Sequence, residues 1–367
     1  MKICCSRQEL IKSVNIALRA VPVRTTMPIL ECILIDARPG EIHFISNDME
    51  LGIDTVVNGV TEEPGIIAVN AKMFSEIVRK LPDNMVTIIS DENYNVTILC
   101  EKTRFALAGQ SGEEFAYLPE VERDERIEIS QYTLREIISD TIFSISQNEN
   151  NRLMTGELFE IGGDRLRVIS LDGHRISIRR IALKEFYSDA KVVVPGKTLS
   201  EIMKIMTGET DDMAGIYITP GHIVFEIPGT TVISRLIEGT YFAVDQMISS
   251  DYETKVVVNR QILLSCIDRA TLFVKENDKK PVILDFQEKD LKLSIDSPLG
   301  SMKEDIYIDK EGRDLMIGFN PRFLMDALKA IDEENVTLYM TNAKSPCFIR
   351  DEALSYTYLI LPVNFTR

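Results

Sequence analysis

The sequence predicts an α+β protein built from one unit that is repeated three times. Segments 71–81, 196–206 and 321–331 align without a gap, each 125 residues after the one before. All three have a basic residue at the second position, an acid at the sixth and a basic residue at the ninth: Lys72, Lys197 and Arg322, then Glu76, Glu201 and Asp326, then Arg79, Lys204 and Lys329. Positions seven apart lie on one helix face, so each copy carries two cations along one stripe.

Each repeat contains a second helical pattern, which begins near residues 6, 130 and 259. The apolar positions that correspond are Leu10, Leu134 and Leu263, and then Val14, Ile138 and Ile267. Spacing of four residues fits one apolar helix stripe. A short β-rich run precedes each pattern, at 2–4, 127–129 and 256–258.

Strand-like runs lie between the helices and are separated by turn residues. The clearest are 33–35, 41–45, 158–161 and 166–169. Pro39-Gly40 and Gly162-Gly163-Asp164 stand where hairpin turns are expected. Each unit therefore reads β-α-β-β-β twice over about 120 residues, an ordinary size for a domain.

The chain is long enough for three such domains, with 367 residues of which 45% are hydrophobic. We expect domain boundaries at 1–123, 124–249 and 250–367, because charged or turn-like residues lie near 121–124 and 249–254. No Pro/Ser/Gly linker separates the domains, so we expect them to join edge to edge.

Composition points to a reduced, soluble, cytoplasmic protein. No apolar run approaches the length of about 20 residues that a membrane span needs, and the N-terminus lacks a signal-peptide pattern. The six cysteines form no CxxC pair, and we expect reduced core residues. The net charge of −16 alone argues against nucleic acid, but the basic residues collect on the predicted helices while acidic runs fall in predicted loops.

Catalytic and metal-binding patterns are weak. Gly196-Lys197-Thr198 follows a strand-like run as a phosphate-binding loop would, yet Lys191 occupies the position of its first glycine. Three histidines lie far apart without metal-ligand spacing. Asp172-Gly173-His174-Arg175 could orient an imidazole, or could be a turn with a polar tip between two strands. We expect no catalytic residues, no metal and no cofactor.

The whole chain resembles the bacterial sliding clamp family, the β subunit of DNA polymerase III. The matching segments are Met1-Lys2-Ile3, 24–30 (RTTMPIL), 172–176 (DGHRI), 317–320 (IGFN) and 358–363 (YLILPV). This resemblance implies three clamp domains, each with two helices on antiparallel sheets, in a head-to-tail homodimeric ring around duplex DNA. Six helices about 10 Å wide enclose too narrow a bore for DNA, whereas twelve leave about 38 Å between opposite helix axes.

The resemblance also implies which residues bind DNA and which bind partner peptides. Those expected to face DNA are Lys12, Arg24, Lys72, Arg79, Arg135, Asn148, Arg152, Lys197 and Lys204. Those expected to hold a peptide are Met154, Leu171, Gly173, His174, Arg175, Ile176, Met247, Asn320, Phe323, Leu361, Pro362 and Val363. An apolar pocket with a few polar orienting groups is typical of a peptide site. Phe242, Gln246 and Lys344 depart from the family's usual residues, which affects peptide preference.

The implied partners are double-stranded DNA without sequence preference, a second copy of the chain, the polymerase III α subunit, the clamp loader and other proteins with a clamp-binding motif. We expect the dimer interface to join Arg104 and Phe105 of one chain to Leu272 and Phe273 of the other, with Glu304 and Asp305 facing the basic side. Two alternatives remain open at this point: a three-repeat scaffold that binds only proteins, and an enzyme that acts on phosphorylated substrates.

Overall fold

A computed structural model describes residues 1–116, 118–274 and 280–365. Its helices are α1 (Arg7–Ala17), α2 (Ala71–Lys80), α3 (Gln131–Ser139), α4 (Gly196–Ile205), α5 (Arg260–Thr271) and α6 (Pro321–Lys329). All six lie where the repeat predicts them. An asparagine precedes α2, α5 and α6, and its side chain accepts a backbone N–H of the first turn, which fixes where each helix begins.

The strands fill the intervals between the helices. The strands up to α3 are β1 (Lys2–Ser6), β2 (Cys32–Arg38), β3 (Glu41–Asn47), β4 (Leu51–Val56), β5 (Gly59–Glu63), β6 (Gly65–Asn70), β7 (Met85–Ser90), β8 (Asn95–Cys100), β9 (Thr103–Ala108), β10 (Gln110–Ser111) and β11 (Ile127–Ser130). Those that follow are β12 (Gly156–Leu171), β13 (Arg175–Pro195), β14 (Met213–Ile218), β15 (His222–Ile227), β16 (Thr230–Arg235), β17 (Thr254–Asn259), β18 (Val282–Phe286), β19 (Asp290–Ser297), β20 (Gly300–Tyr307), β21 (Asp309–Gly312), β22 (Leu315–Phe319), β23 (Asn335–Met340), β24 (Cys347–Arg350) and β25 (Tyr356–Ile360).

The chain divides into two compact units. The first unit comprises Met1–Leu134 and Ser200–Leu236, and the second comprises Arg135–Leu199 and Ile237–Arg367. In the first unit, one sheet has the order β5-β1-β7-β8-β9 and the other the order β10-β6-β2-β3-β4-β16-β15-β14-β11. The β4–β16 pairing, from Thr55↔Thr230 to Leu51↔Ser234, joins the first and second repeats edge to edge as predicted.

The second unit has a seven-stranded sheet of order β12-β13-β25-β24-β23-β17-β21 and a four-stranded sheet of order β20-β19-β18-β22. Here the β13–β25 pairing, from Arg175↔Ile360 to Arg179↔Tyr356, joins the second and third repeats. α5 and α6 pack against each other over a core that contains Leu263, Phe286 and Phe319, all fully buried. α1 and α2 form the corresponding pair over the core of the first unit.

One predicted turn is wrong. Gly162-Gly163-Asp164 does not end a strand, because β12 runs through it and stays paired with β13 on both sides. The register shifts on either side of Gly163, whose φ is +58°. A bulge and a turn both place glycine in the left-handed conformation. A glycine-rich segment in the sequence therefore does not distinguish a bulge from a turn. Pro39-Gly40, by contrast, does connect two paired strands, and Gly40 has φ +86°.

Five of the six cysteines are buried, as predicted, whereas Cys4 is only partly buried. All six are free thiols. Burial raises the pKa of the Cys5 and Cys266 thiols to about 12. Thiols held protonated in this way are poor nucleophiles, which suits a structural role.

Candidate DNA-facing helices and peptide site

The repeated cations of α2 lie on its solvent face. Lys72 and Arg79 are exposed, while Phe74, Ile77 and Val78 on the opposite face are buried. Arg79 donates a hydrogen bond of 3.0 Å to the Asn15 side chain, which limits the conformations of the guanidinium. The helix therefore presents both cations to solvent while its apolar face packs on the core.

The same stripe recurs on α4 and α6. Lys197, Lys204, Arg322 and Lys329 are all exposed. The acid between each pair is engaged: Lys204 Nζ lies 2.8 Å from Glu201, and Asp326 accepts from Arg175 Nη1 at 2.6 Å. These carboxylates offset part of the positive charge of the stripe.

The first residue of each of α1, α3 and α5 forms hydrogen bonds with the end of the other helix in its repeat. Arg7 donates to the carbonyl oxygens of Val78 and Arg79 at the end of α2, and Arg260 donates to that of Leu328 near the end of α6. Gln131 takes this position in the second repeat, and its side chain accepts the backbone N–H of Thr207, just beyond α4. Arg7 and Arg260 thus cap helix ends, a role that the sequence reading of helix-borne cations missed.

The remaining residues expected to face DNA lie on other exposed segments. Lys12 is on α1, Arg135 is on α3, and Arg24, Asn148 and Arg152 lie in loops or short turns. Asn148 shapes its own loop, because its side chain accepts the backbone N–H of Asn150 at 3.0 Å. Each of these side chains is accessible to a ligand from solvent.

The peptide-site residues all belong to the second unit, and a tight turn between β12 and β13 is at their centre. The Asp172 carboxylate accepts the backbone N–H groups of His174 and Arg175 at 2.9 and 3.1 Å. Gly173 has φ +86°, a conformation that favours glycine. The predicted alternative of a turn with a polar tip is confirmed, because Asp172 bonds backbone amides and Arg175 rather than an imidazole.

Arg175 is held on every side and does not point freely into solvent. Its Nε donates to Asp172 at 3.0 Å, its Nη1 to Asp326 at 2.6 Å and its Nη2 to the carbonyl oxygen of Phe143. The guanidinium also lies 4.4 Å from the ring centre of Phe323. With its side chain 11% exposed, Arg175 ties the turn to α6.

His174 and the C-terminal segment form one edge of the site. The imidazole stacks on Phe323 with ring centres 6.1 Å apart. Leu361 donates its backbone N–H to the carbonyl oxygen of His174 at 2.9 Å, and Val363 donates to that of Gly318 at 2.8 Å. The chain after β25 is therefore fixed beside the turn, and the Leu361 side chain remains 37% exposed.

An apolar cluster lies beneath this edge. Leu171 and Ile176 are buried in it, Met154 packs against it, and Met247, in the loop that leads out of it, is 47% exposed. Tyr241 and Val244 belong to the same cluster and were not predicted. The sequence pattern gives little indication that these two residues belong to a binding site, because single apolar residues in a loop resemble ordinary core positions.

Phe242, which departs from the family's usual residue, contacts Tyr241 edge to face with ring centres 5.6 Å apart. Gln246 and Lys344 are both exposed. Phe242 is therefore part of the apolar cluster, whereas Gln246 and Lys344 lie on the solvent-exposed surface.

Two sheet edges carry the residues expected at a dimer interface. Among the strands of the described residues, β9, with Arg104 and Phe105, has a neighbour on one side only, and β20, with Glu304 and Asp305, is likewise the last strand of its sheet. Leu272 is 76% exposed, and Phe273 packs on the core of the second unit. Glu304 forms an ion pair with Arg269 of its own chain. An arginine of a partner chain would therefore have to share the Glu304 carboxylate with Arg269.

Gly196 is a glycine because of close packing. A Cβ there would lie 2.3 Å from Ile145 Cδ1 and 2.9 Å from the carbonyl oxygen of Thr155. Across the described ranges, no three His, Cys, Asp or Glu side chains are grouped as metal ligands. A search of the same residues for a helix long and apolar enough to cross a membrane found none.

Comparisons with known proteins agree along the whole chain. Models of the DNA polymerase III beta subunit match residues 1–119 (N-terminal domain), 128–242 (central domain) and 245–364 (C-terminal domain). A beta sliding clamp from Staphylococcus epidermidis is 32% identical over 375 residues, which cover 99% of each chain.

Solved structures agree as well. One from Eubacterium rectale is 61% identical with a TM-score of 0.97, and the sliding clamp of Bacillus subtilis is 32% identical with a TM-score of 0.96; both match over 100% of each chain. The chain therefore belongs to the bacterial sliding clamp family, the beta subunits of DNA polymerase III.

Proposed function

We propose that two copies of this chain close into a ring that encircles duplex DNA and tethers a polymerase to it, giving processive synthesis. The observation that carries this proposal is the recurrence of exposed cations at equivalent positions of α2, α4 and α6 in a protein of net charge −16. Chance charges on solvated helix faces would not repeat in register. Twelve helices from two chains would enclose a bore wide enough for duplex DNA, about 38 Å between opposite helix axes.

In this ring, DNA is held by closure and not by base recognition. The proposed DNA-facing set is Lys12, Arg24, Lys72, Arg79, Arg135, Asn148, Arg152, Lys197 and Lys204. Cations that attract phosphates give no sequence preference, which a sliding protein requires. The protein would act as a processivity factor in the cytoplasm, without catalytic residues of its own.

We also propose three domains at 1–123, 124–249 and 250–367. The three family-model matches lie inside these ranges except for the start of the third, at residue 245. Ring closure would bring β9 of one chain to β20 of the partner, since each is the last strand of its sheet in the described part of the chain and could pair along its outer side. Such a heterologous contact closes when the rotation between chains permits.

Polymerase and clamp-loader peptides would dock on the apolar cluster between the turn at Asp172 and the C-terminal segment. Exposed Met247 and Leu361 supply apolar contacts at its surface. An extended peptide that ends in apolar side chains would bury them here, while backbone and polar groups at the rim orient it.

Retention on DNA of different topology tests the proposal. After loading by the clamp loader, the protein should stay on nicked circular DNA at a salt concentration that removes ordinary electrostatic binders, and should run off when the circle is cut. Equal retention on both forms would show that contacts hold the DNA. No retention on either form, with peptide binding intact, would favour the protein-only scaffold.

A further inference from the structure

The first unit contains a second copy of the turn that shapes the peptide site. The Asp48 carboxylate accepts the backbone N–H groups of Glu50 and Leu51 at 3.0 and 2.6 Å, and the Asp48 N–H donates to the carbonyl oxygen of Leu51. These bonds match those of Asp172 with His174 and Arg175. The repeat has therefore reproduced the local frame of the site, and not only the helices.

The chain that returns past the turn is reproduced as well. Arg235 donates its backbone N–H to the carbonyl oxygen of Glu50 at 2.8 Å, as Leu361 does to that of His174 at 2.9 Å. Arg235 is the last residue of β16, and Leu361 is the first residue after β25. The backbone edge that would guide an extended peptide is thus present twice in the chain.

A cleft with an apolar floor lies beside this second turn. Its volume is about 510 Å³, and its lining includes Met27, Leu30 and Met49. Leu30 is buried, whereas Met27 and Met49 are 42% and 44% exposed. Leu30 and Met154 each lie two residues before a strand, since β2 begins at Cys32 and β12 begins at Gly156. Exposed methionines are adaptable contacts for apolar side chains.

Met49 occupies a backbone position that favours glycine. Its φ is +73°, and the equivalent residue of the other turn is Gly173 with φ +86°. The hydrogen bonds of the Asp48 turn hold Met49 in this conformation and direct a long apolar side chain to the cleft. Strained positions of this kind are found at binding sites more often than elsewhere.

The charges of the cleft differ from those of the peptide site. Arg235 replaces the apolar Leu361, and Arg24 lines the cleft; both are exposed. The Asp48 carboxylate is committed to the amides of its own turn. A ligand that places carboxylates beside apolar side chains would complement Arg24 in the cleft and Arg235 at the backbone edge beside the turn.

We propose that this cleft is a second docking site, for an extended peptide segment that alternates apolar and acidic side chains. The proposal rests on the peptide docking assigned to the second unit, whose frame it repeats. Its specificity differs because the cationic Arg235 stands where Leu361 offers an apolar surface. One chain would then hold two peptides of different chemistry.

Methyl NMR of the methionine-labelled dimer without DNA tests the proposal. The probe is a blocked peptide of about six residues that alternates leucine and glutamate and spans about 20 Å when extended; a leucine–glutamine peptide of the same length is its control. Met27 and Met49 report on the second cleft, and Met154 and Met247 report on the peptide site. We expect the acidic peptide to shift the Met27 and Met49 signals saturably and the control peptide to bind about tenfold more weakly.

Two variants sharpen the test. Met49→Gly removes the side chain and keeps a permitted backbone, so it should weaken binding about tenfold without lowering the melting temperature. Arg235→Glu should weaken the acidic peptide and favour a leucine–lysine peptide. Equal binding of the acidic and control peptides, shifts confined to Met154 and Met247, or no saturable shift would overturn the proposal. A polymerase-tail peptide that fails to shift Met154 and Met247 would instead count against the proposed function.

Discussion

The backbone amide of Leu361 lies 2.9 Å from the carbonyl oxygen of His174 and donates to it. Through this bond the C-terminal segment is fixed beside the turn at Asp172, although the two lie far apart in sequence. The Leu361 side chain is left 37% exposed above the apolar cluster. A residue that is held by its backbone and exposes an apolar side chain is well suited to contact a ligand.

Leu361→Ala should therefore weaken binding of a polymerase-tail peptide by about 1–3 kcal/mol, because few apolar anchors dominate such contacts. Calorimetric titration measures the loss. Leu354→Ala, at an apolar residue that is 43% exposed and outside the proposed set, is the matched control and should change affinity little. Unchanged affinity in Leu361→Ala, and in a deletion of residues 361–367 that leaves the dimer intact, would place the docking site elsewhere.

His174 and Arg175 should differ sharply in what their loss does. Arg175→Ala leaves Asp172 and Asp326 without their arginine and should destabilise the second unit by on the order of 3 kcal/mol. His174→Ala removes an exposed ring and should change stability by less than about 0.5 kcal/mol while it weakens peptide binding. Denaturant unfolding, together with peptide titration, separates the two. Similar stability loss in both variants would contradict this division of roles.

Sequence periodicity was sufficient to predict the six helices, because Lys72, Lys197 and Arg322 recur at one spacing and the buried faces recur with them. It could not predict the bulge at Gly163, since a bulge and a turn both favour glycine with positive φ. Nor could it separate Arg7, which caps α2, from cations that face solvent. That distinction depends on which carbonyl oxygens the fold brings within reach.

The peptide-site residues illustrate the same limit. Leu361 and His174 were assigned from the family resemblance, and no spacing in the sequence brings them together. Tyr241 and Val244 were missed because a single aromatic or β-branched residue in a loop has no periodic neighbours. Pairing between distant strands decides which of these side chains share a surface.

Charge reversal should separate DNA loading from assembly. The triple variant Lys72→Glu, Lys197→Glu and Arg24→Glu replaces exposed cations of the proposed inner face, so loading onto nicked circular DNA should fall at least about tenfold. The dimer should persist, as shown by light scattering. Lys184→Glu, an exposed lysine on β13, is the control and should load normally. Loss of the dimer with normal loading would contradict the assignment of the inner face.

The dimer should depend on the apolar side chains beside β20. Leu272 is 76% exposed in the single chain, so a partner chain that docks at β20 could bury its side chain. Leu272→Asp should therefore shift the protein towards monomer at micromolar concentration. Ile262→Asp, on α5 and 52% exposed, is the control and should leave the dimer intact. Light scattering that shows equal dimer in both variants would move the interface away from β20.

A buried carboxyl group gives the last prediction. Glu157, on β12, is fully buried, and neither of its carboxyl oxygens has a hydrogen-bond partner among the residues that the structure describes. The nearby Thr141 hydroxyl donates to the carbonyl oxygen of Ile137, so it has no proton to give the carboxylate. Burial raises the pKa of Glu157 well above its ordinary value. The folded protein therefore keeps this proton to a higher pH than the unfolded chain does.

Because the folded-state pKa is the higher one, Glu157 lowers stability as pH rises from the ordinary glutamate range through the raised pKa. Glu157→Gln keeps the shape without the ionisation and should stabilise the protein at pH 8 by about 1–3 kcal/mol, with little change at pH 4. Asp140, whose pKa burial raises to about 6, gives the parent a slope of the same sign, so the difference between parent and variant is the quantity to measure by denaturant unfolding. A difference that does not grow with pH would show that Glu157 is ionised in the folded state with a donor to hold it.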